Sequence, residues 1–385
     1  MAKRIAILGS TGSIGKNALR VIENIEKDYH IHALTAHSNY KLLAEQAKRY
    51  KPKFLCITNT EYAQKLRSET KDLPIELLAG PESLVKIAEH EHTDIVISAV
   101  VGAAGLPAIL AAARKGKRLA IANKEPLVIA GEILTEAARQ NGSAILPIDS
   151  EHSAIFQAMK SGSPNEIEKV IITSSGGPFR KASHTQIRNV TLEQTLNHPT
   201  WDMGPKITID SATMMNKALE VIEAHWLFSL PVEKIEVLIH PESIVHSLVE
   251  FVDGSIIAQL ALPDMCLPIQ YALTYPKRLR GIAKKLKLEE IASLTFEKPN
   301  PKTFRALPLG FEVAKKGGTA AAVFNAANEA AVQEFLAERI KFVNIVELIE
   351  ECLNKHNIKT NVTLDELLEA DAWARKIVTK LVSKK

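Results

Sequence analysis

The chain has 385 residues, which at about 150 residues per domain predicts two or three domains and a core that needs no disulfide staple. Hydrophobic residues make up 46% and charged residues 24%, and 48 Lys and Arg stand against 44 Asp and Glu. So slight a positive balance, with aromatics at 5%, excludes nucleic acid as the expected partner, by charge and by stacking capacity alike.

The first 149 residues alternate apolar strand-like runs with amphipathic stretches. Strands are predicted at 5–8, 31–35, 54–57, 95–100, 119–122 and 144–148, and helices at 14–25, 40–50, 106–114 and 126–139. Near-continuous apolar strands between helices predict an α/β, Rossmann-type parallel sheet covered on both faces. Beyond residue 149 the rhythm becomes α+β. A strand at 170–174 leads through a Gly-Gly-Pro turn and a polar stretch to a helix from about 212 to 228. Strands follow at 235–239, 244–251 and 255–261, the last two joined by an Asp253-Gly254 hairpin signal. Pro276 opens a basic, proline-containing linker over 277–301. From Phe304 the pattern is helical, broken at Gly317-Gly318 and free of proline beyond Pro308. The expected organisation is a Rossmann-type domain over 1–149, a central α+β domain over 150–276, a linker over 277–301 and an all-α domain over 302–385.

Gly9-Ser10-Thr11-Gly12-Ser13-Ile14-Gly15 lies directly between the first strand and the first helix. Glycines there permit a tight turn and close approach of a pyrophosphate, and the helix start offers free N–H groups. A Walker A reading fails, because five residues separate Gly9 from Gly15 where four are required, and Asn17 stands where Ser or Thr should. Dinucleotide binding is preferred over a plain turn. After the second strand, Thr35-Ala36-His37-Ser38-Asn39-Tyr40-Lys41 holds no acid to take a ribose 2′-hydroxyl. Donors and a potential cation suit a 2′-phosphate, so NADP is preferred over NAD, although capping of the next helix accounts equally for His37 or Ser38 alone.

Asp149-Ser150-Glu151 ends the strand at 144–148, where two carboxylates can converge on a hard cation and a third is usual; on its own such a pair is a weak signal. Asp210 or Ser211 suits an N-cap for the helix that follows. Asn216 and Glu220, four apart with Lys217 beside them, share one helix face; an ordinary solvated charge pair also fits, while Met215, Leu219 and Ile222 read as core. Ser174-Ser175-Gly176-Gly177-Pro178 follows a strand and is either an anion-binding loop or a simple turn. The stretch 197–205, with Trp201 and Met203 between prolines, reads as a lid over substrate or as a packing loop. His152 and His246, beside these motifs, read as satisfied histidines. Cys56, Cys266 and Cys352 are odd in number and far apart, which predicts free thiols in a reducing compartment. No apolar run approaches the 18 or more residues of a membrane span, and KRIAIL follows Met1 and Ala2 without a targeting pattern. A cytoplasmic protein with no membrane partner is expected.

Taken together, GSTGSIG at 9–15, NKE at 123–125, DSEH at 149–152, SSGGPF at 174–179, HPTWDMG at 198–204, DSATMMNKALE at 210–220 and HPESIVHS at 240–247 resemble the 1-deoxy-D-xylulose 5-phosphate reductoisomerase family, over essentially the whole chain. The resemblance implies an NADPH-binding first domain, a catalytic second domain and a helical third domain in a homodimer. It implies that Thr11, Gly12, Ser13, Ile14, Asn123, Lys124, Glu125 and Gly204 hold the cofactor, with His37, Ser38 and Asn39 near the adenosine ribose. Relatives often carry Gly-Lys-Asn at those last three positions. It implies that Asp149, Glu151 and Glu220 ligate magnesium, manganese or cobalt. Ser150, Glu151, Ser175, His198, Trp201, Ser211, Asn216, Lys217 and Glu220 would contact a sugar phosphate, and Glu151, His198 and Lys124 would carry catalysis. The implied reaction is a metal-assisted rearrangement of a ketose phosphate followed by reduction with NADPH. A lid over 198–203 would shield the reactive aldehyde formed on the way.

Overall fold

In this computed structural model, which describes residues 2–25, 28–201 and 203–383, the chain divides into two compact units. The first is Met1–Pro126, Glu132–Ser153 and Asp264–Lys284; the second is Leu127–Gly131, Ala154–Pro263 and Lys285–Lys385.

The first unit is built on seven parallel strands: β1 (Lys3–Leu8), β2 (Tyr29–Ala36), β3 (Phe54–Ile57), β4 (Glu76–Ala79), β5 (Ile95–Ser98), β6 (Arg118–Ile121) and β7 (Ile145–Pro147). Their order is β4-β3-β2-β1-β5-β6-β7, so the winding reverses between β1 and β5, where doubly wound sheets open a crevice beyond their strand ends. β3, β5 and the last four residues of β1 are mostly Ile, Leu and other apolar residues and are buried throughout, as a sheet covered on both faces requires. The helices of this part of the chain are α1 (Ser13–Asn24), α2 (Tyr40–Tyr50), α3 (Ala63–Glu69), α4 (Glu82–Glu89), α5 (Leu106–Arg114), α6 (Glu125–Gln140) and α7 (Ser150–Ala158). β4, α3, α4 and α7 add to the elements read from the sequence. β4 is a four-residue edge strand, only partly buried, and carries too little pattern to stand out.

In the second unit a mixed sheet has the order β11-β10-β8-β9, with β8 (Ile167–Ser174), β9 (Ile235–Ile239), β10 (Val245–Phe251) and β11 (Ile256–Leu260). β8 and β9 are parallel, and β10 runs antiparallel to β8 and β11. Between β8 and β9 come α8 (His184–Ile187), α9 (Leu192–Leu196), α10 (Pro205–Ala212) and α11 (Met215–Phe228). The helix expected from about 212 to 228 is therefore α11, and a separate helix precedes it. Met214, at φ +62°, is the left-handed residue that divides them. Asp210 and Ser211 accordingly lie in the last turn of α10 and cap nothing, which corrects the N-cap reading. Met214 and Val221 join Ile172, Val237, Val249 and Phe304 in one core.

After α12 (Cys266–Thr274), in the first unit, the chain continues to α13 (Ala306–Lys316), α14 (Ala320–Leu336), α15 (Phe342–Lys355) and α16 (Leu364–Val382). Gly317 and Gly318 make the break between α13 and α14, and a Cβ on Gly318 would meet the Lys359 carbonyl oxygen at 2.0 Å. Residues 285–301 are mostly irregular, with one bridge from Glu297 to Ile239. All three cysteines are free and buried.

Candidate active site

In the first unit the predicted residues gather beyond the carboxyl ends of the sheet strands. The Gly9 N–H donates to Thr35 Oγ1 at 2.9 Å and the Ser10 N–H to the Thr35 carbonyl at 2.8 Å. Ser10 Oγ donates to Gln46 Oε1 at 2.7 Å, and Gln46 Nε2 returns a bond to the Ser10 carbonyl at 3.0 Å. The loop is thus anchored by its buried serine, while Thr11, Gly12, Ser13 and Ile14 reach the surface. Gly9 sits at φ +89°, and a Cβ there would meet the Ala99 carbonyl oxygen at 2.5 Å; a Cβ on Gly15 would meet the Gly9 carbonyl oxygen at 2.3 Å. The first glycine makes the turn and the last lets α1 pack on the loop. Gly12 begins α1 without a side-chain cap, and no acid occupies the first turn, so this helix start favours an anion.

His37, Ser38 and Asn39 are exposed at the end of β2. Asn39, not His37, caps α2, accepting from the Leu42 N–H at 3.3 Å. His37 Nδ1 instead meets Thr58 Oγ1 at 2.9 Å, beyond the end of β3. Beyond β6, Asn123 accepts from Ser98 Oγ and donates to the Gly102 carbonyl. Lys124 follows, and Glu125 opens α6; both are buried. Lys124 Nζ lies 2.7 Å from Asp149 Oδ2, past the end of β7. Asp149 also begins α7, taking the Glu151 N–H on Oδ1 at 3.3 Å and the Ser153 N–H on its carbonyl at 2.8 Å. Ser150 Oγ bonds Glu151. One ion pair and one helix start therefore hold the Asp149 carboxylate in place.

In the second unit, β8 ends in Ser174, Ser175 and two glycines at φ +81° and +67°. A Cβ on Gly177 would meet the Ser211 carbonyl oxygen at 2.8 Å, so this turn packs directly on the last turn of α10. His198 Nε2 lies 3.2 Å from Ser175 Oγ and 3.1 Å from Ser211 Oγ. His198 Nδ1 accepts from the N–H groups of Thr200 at 3.1 Å and Trp201 at 2.9 Å. An Nδ1 that accepts twice leaves the single ring proton on Nε2, shared between the two serine oxygens, so neither hydroxyl proton is needed by the ring. Burial pushes His198 below the usual histidine range, so the ring is neutral at pH 7.

Asn216, Lys217 and Glu220 share the start of α11. Lys217 Nζ donates to the Thr173 carbonyl at 2.9 Å and lies 2.5 Å from Glu220 Oε2; Asn216 Nδ2 bonds Glu220. Lys217 is 3% exposed and Glu220 0%, which rules out a solvated surface pair. Trp201 is part-buried, its ring 6.5 Å from that of His246; Asp202 lies outside the described residues. Gly204 starts α10 and is exposed.

Three family models cover most of the chain: 1-deoxy-D-xylulose 5-phosphate reductoisomerase over residues 5–131, its C-terminal domain over 145–228, and the DXP reductoisomerase C-terminal domain over 260–377. The reductoisomerase of Chloroherpeton thalassium is 50% identical, with 98% of this chain and 97% of that protein aligned. The chain belongs to the 1-deoxy-D-xylulose 5-phosphate reductoisomerase family. The Clostridium perfringens member is 47% identical over 98% of each chain. Among solved structures, the Zymomonas mobilis reductoisomerase in complex with NADPH superposes with a TM-score of 0.94 at 42% identity, covering 99% of each chain. A reductoisomerase in complex with NADPH, fosmidomycin and magnesium also gives 0.94 at 42% identity, covering 99% of this chain and 98% of that one.

Within this reductoisomerase framework the sequence motifs mark the groups that face the site, but not those that fix them. Thr35 and Gln46 hold the glycine loop, Thr58 orients His37, and the Thr173 carbonyl receives Lys217. The last two contacts join residues 21 and 44 positions apart, with no motif to announce them.

Proposed function

We infer that this protein converts 1-deoxy-D-xylulose 5-phosphate to 2-C-methyl-D-erythritol 4-phosphate with NADPH and a divalent cation, the committed step of non-mevalonate isoprenoid precursor synthesis. Its family and the NADPH and magnesium complexes of its relatives support this reading. This chain's own residues fit the two groups. The glycine turn and uncapped α1 suit a pyrophosphate, and Asp149, Glu151 and Glu220 are the hard oxygen donors that magnesium, manganese or cobalt takes. When bound, NADPH supplies hydride, and the cation polarises the ketone and its neighbouring hydroxyl.

The other roles belong to side chains. Thr11, Gly12, Ser13 and Ile14 hold the pyrophosphate, with Asn123, Lys124, Glu125 and Gly204 completing the cofactor site. His37, Ser38 and Asn39 face the adenosine ribose, and the Thr58 contact supports His37 as a donor to the 2′-phosphate. Ser175 and Ser211 donate to the substrate phosphate, their protons freed by His198 Nε2–H, while Asn216 adds a donor and Lys217 a buried positive charge. Ser150, Glu151 and Glu220 contact the sugar, and Trp201 covers it. Glu151 acts on the reacting sugar, while His198 serves it by orienting Ser175 and Ser211 and Lys124 by holding Asp149 in place.

The observation that carries this assignment is the His198 ring, its Nε2 within 3.2 Å of the Ser175 hydroxyl and 3.1 Å of the Ser211 hydroxyl. We keep the functional division into a cofactor domain over 1–149, a catalytic domain over 150–276, a linker over 277–301 and a helical domain over 302–385. A homodimer is supported by β11, an edge strand that exposes Ile256 and Ile257 beside the exposed Val252. A cytoplasmic location is supported by three unpaired thiols and by the lack, among described residues, of a helix long and apolar enough to cross a membrane. The test is loss of NADPH absorbance on adding the ketose phosphate, with and without chelator. Consumption should require magnesium or manganese and be much slower with NADH. No consumption, or consumption indifferent to chelator, overturns the reading.

A further inference from the structure

α14 is lined with small apolar side chains, yet it buries two asparagines, Asn325 and Asn328, each with no exposure. Asn328 Nδ2 donates to Asp210 Oδ1 at 2.9 Å, across 118 positions of sequence. The Asn328 carboxamide oxygen is buried and has no partner among the described residues. An apolar residue of that size would avoid the cost of the orphaned oxygen, so the donor is what this position provides.

Its acceptor is well placed to matter. Asp210 is 1% exposed and lies in the last turn of α10, next to Ser211. Consecutive helical residues point in directions about 100° apart, so Asp210 can reach inward while Ser211 faces His198. Asp210 Oδ2 also pairs with Lys206 at 2.8 Å, but Lys206 is one turn earlier on the same helix and cannot fix that helix against anything else. Thr213 Oγ1 donates to the Ile209 and Asp210 carbonyls, closing the turn before the left-handed Met214. Asn328 is the side chain that ties this turn to another element through a buried carboxylate.

We propose that Asn328, in the C-terminal helical module, is a positioning residue for the substrate phosphate, acting through Asp210 to set the place of Ser211. This rests on the reading that Ser211 grips the phosphate. The helical module then contributes to substrate affinity without touching substrate.

The experiment compares Asn328→Ala, the exchanged pair Asp210→Asn with Asn328→Asp, and Ser211→Ala. It measures KM and kcat for 1-deoxy-D-xylulose 5-phosphate, competitive inhibition by inorganic phosphate, and the NADPH Kd by fluorescence. Asn328→Ala should raise KM and the phosphate inhibition constant together by about tenfold, as loss of one charge-assisted bond predicts. Its kcat should stay within about threefold and its NADPH Kd should not move, since neither reads the place of Ser211. The exchanged pair restores a donor facing an acceptor but takes the carboxylate away from Lys206, so it should recover part of both affinities relative to Asn328→Ala. Unchanged KM and phosphate inhibition in a folded Asn328→Ala, while Ser211→Ala raises both, overturns the positioning role and leaves the site reading intact. Unchanged values in Ser211→Ala overturn the inference at its base, in the reading of Ser211. If Asn328→Ala does not fold, Asn328→Leu, which keeps the volume and deletes the donor, decides, with a raised KM supporting the role and a wild-type KM rejecting it.

Discussion

Lys124 Nζ and Asp149 Oδ2 meet at 2.7 Å with side chains only 7% and 11% exposed, an ion pair largely withdrawn from water. Removing one partner of such a pair leaves a charge that burial penalises. Lys124→Met, which keeps the stem and deletes the ammonium, should lower stability by about 3 kcal/mol or more. Urea unfolding measures this, and turnover should be lost in the folded fraction. A wild-type urea midpoint would show that Asp149 does not depend on Lys124.

Glu220→Gln keeps shape and removes one negative charge from a fully buried position beside Lys217 and Asn216. Turnover dependent on magnesium should fall by about a hundredfold or more, because a neutral amide is a poor ligand for a hard cation. NADPH binding, followed by its fluorescence, should survive. Near-normal turnover in saturating manganese would remove Glu220 from the ligand set.

Trp201→Ala should damage kcat/KM far more than thermal stability, since the ring is part-buried and meets His246 edge-on at 6.5 Å. Tryptophan emission should change when fosmidomycin binds the wild type, and that change should vanish in the variant. A melting temperature that collapses in step with activity would make Trp201 a packing residue.

His32 carries no predicted role, and burial, aided by His90, Arg4, His92 and Lys53, pushes it down to about 4. Above the ordinary histidine value of about 6.5 the ring is neutral in folded and unfolded chains alike. As pH falls from there towards 4, the unfolded chain takes up a proton that the folded one refuses, so stability is lost over that interval. Between pH 7 and pH 5 the loss from His32 should be about 1–2 kcal/mol. Chemical unfolding at the two pH values measures it, and His32→Phe should flatten that part of the profile. An equal slope in the variant would assign the acid sensitivity elsewhere.

Much of this architecture was legible because it is written in runs and periods. β3, β5 and the Ile5–Leu8 part of β1 are short apolar runs, and Gly9 and Gly15 occupy positions where no side chain fits. β4 was not legible, since a half-buried edge strand of four residues has little pattern. The break at Met214 was hidden because helical periodicity continues across it and neither Gly nor Pro marks it. Asp210 read as a cap because Asp suits caps, whereas its buried role depends on Asn328, a partner no local pattern reveals. The candidate site residues stand out by type and spacing; their supports are distant in sequence and chemically ordinary.

The His198 ring, finally, makes the enzyme answer two questions at once. One nitrogen registers the backbone of Thr200 and Trp201, and the other registers the hydroxyls of Ser175 and Ser211. A single proton serves the ring, so the loop arrangement decides which nitrogen can donate, and with it the direction in which the serine protons point. Folded loop and competent anion pocket are therefore a logical conjunction held in one tautomer. With the proposed phosphate role of Ser175 and Ser211, a substitution that disturbs only the Thr200–Trp201 backbone should read out as a defect in phosphate recognition.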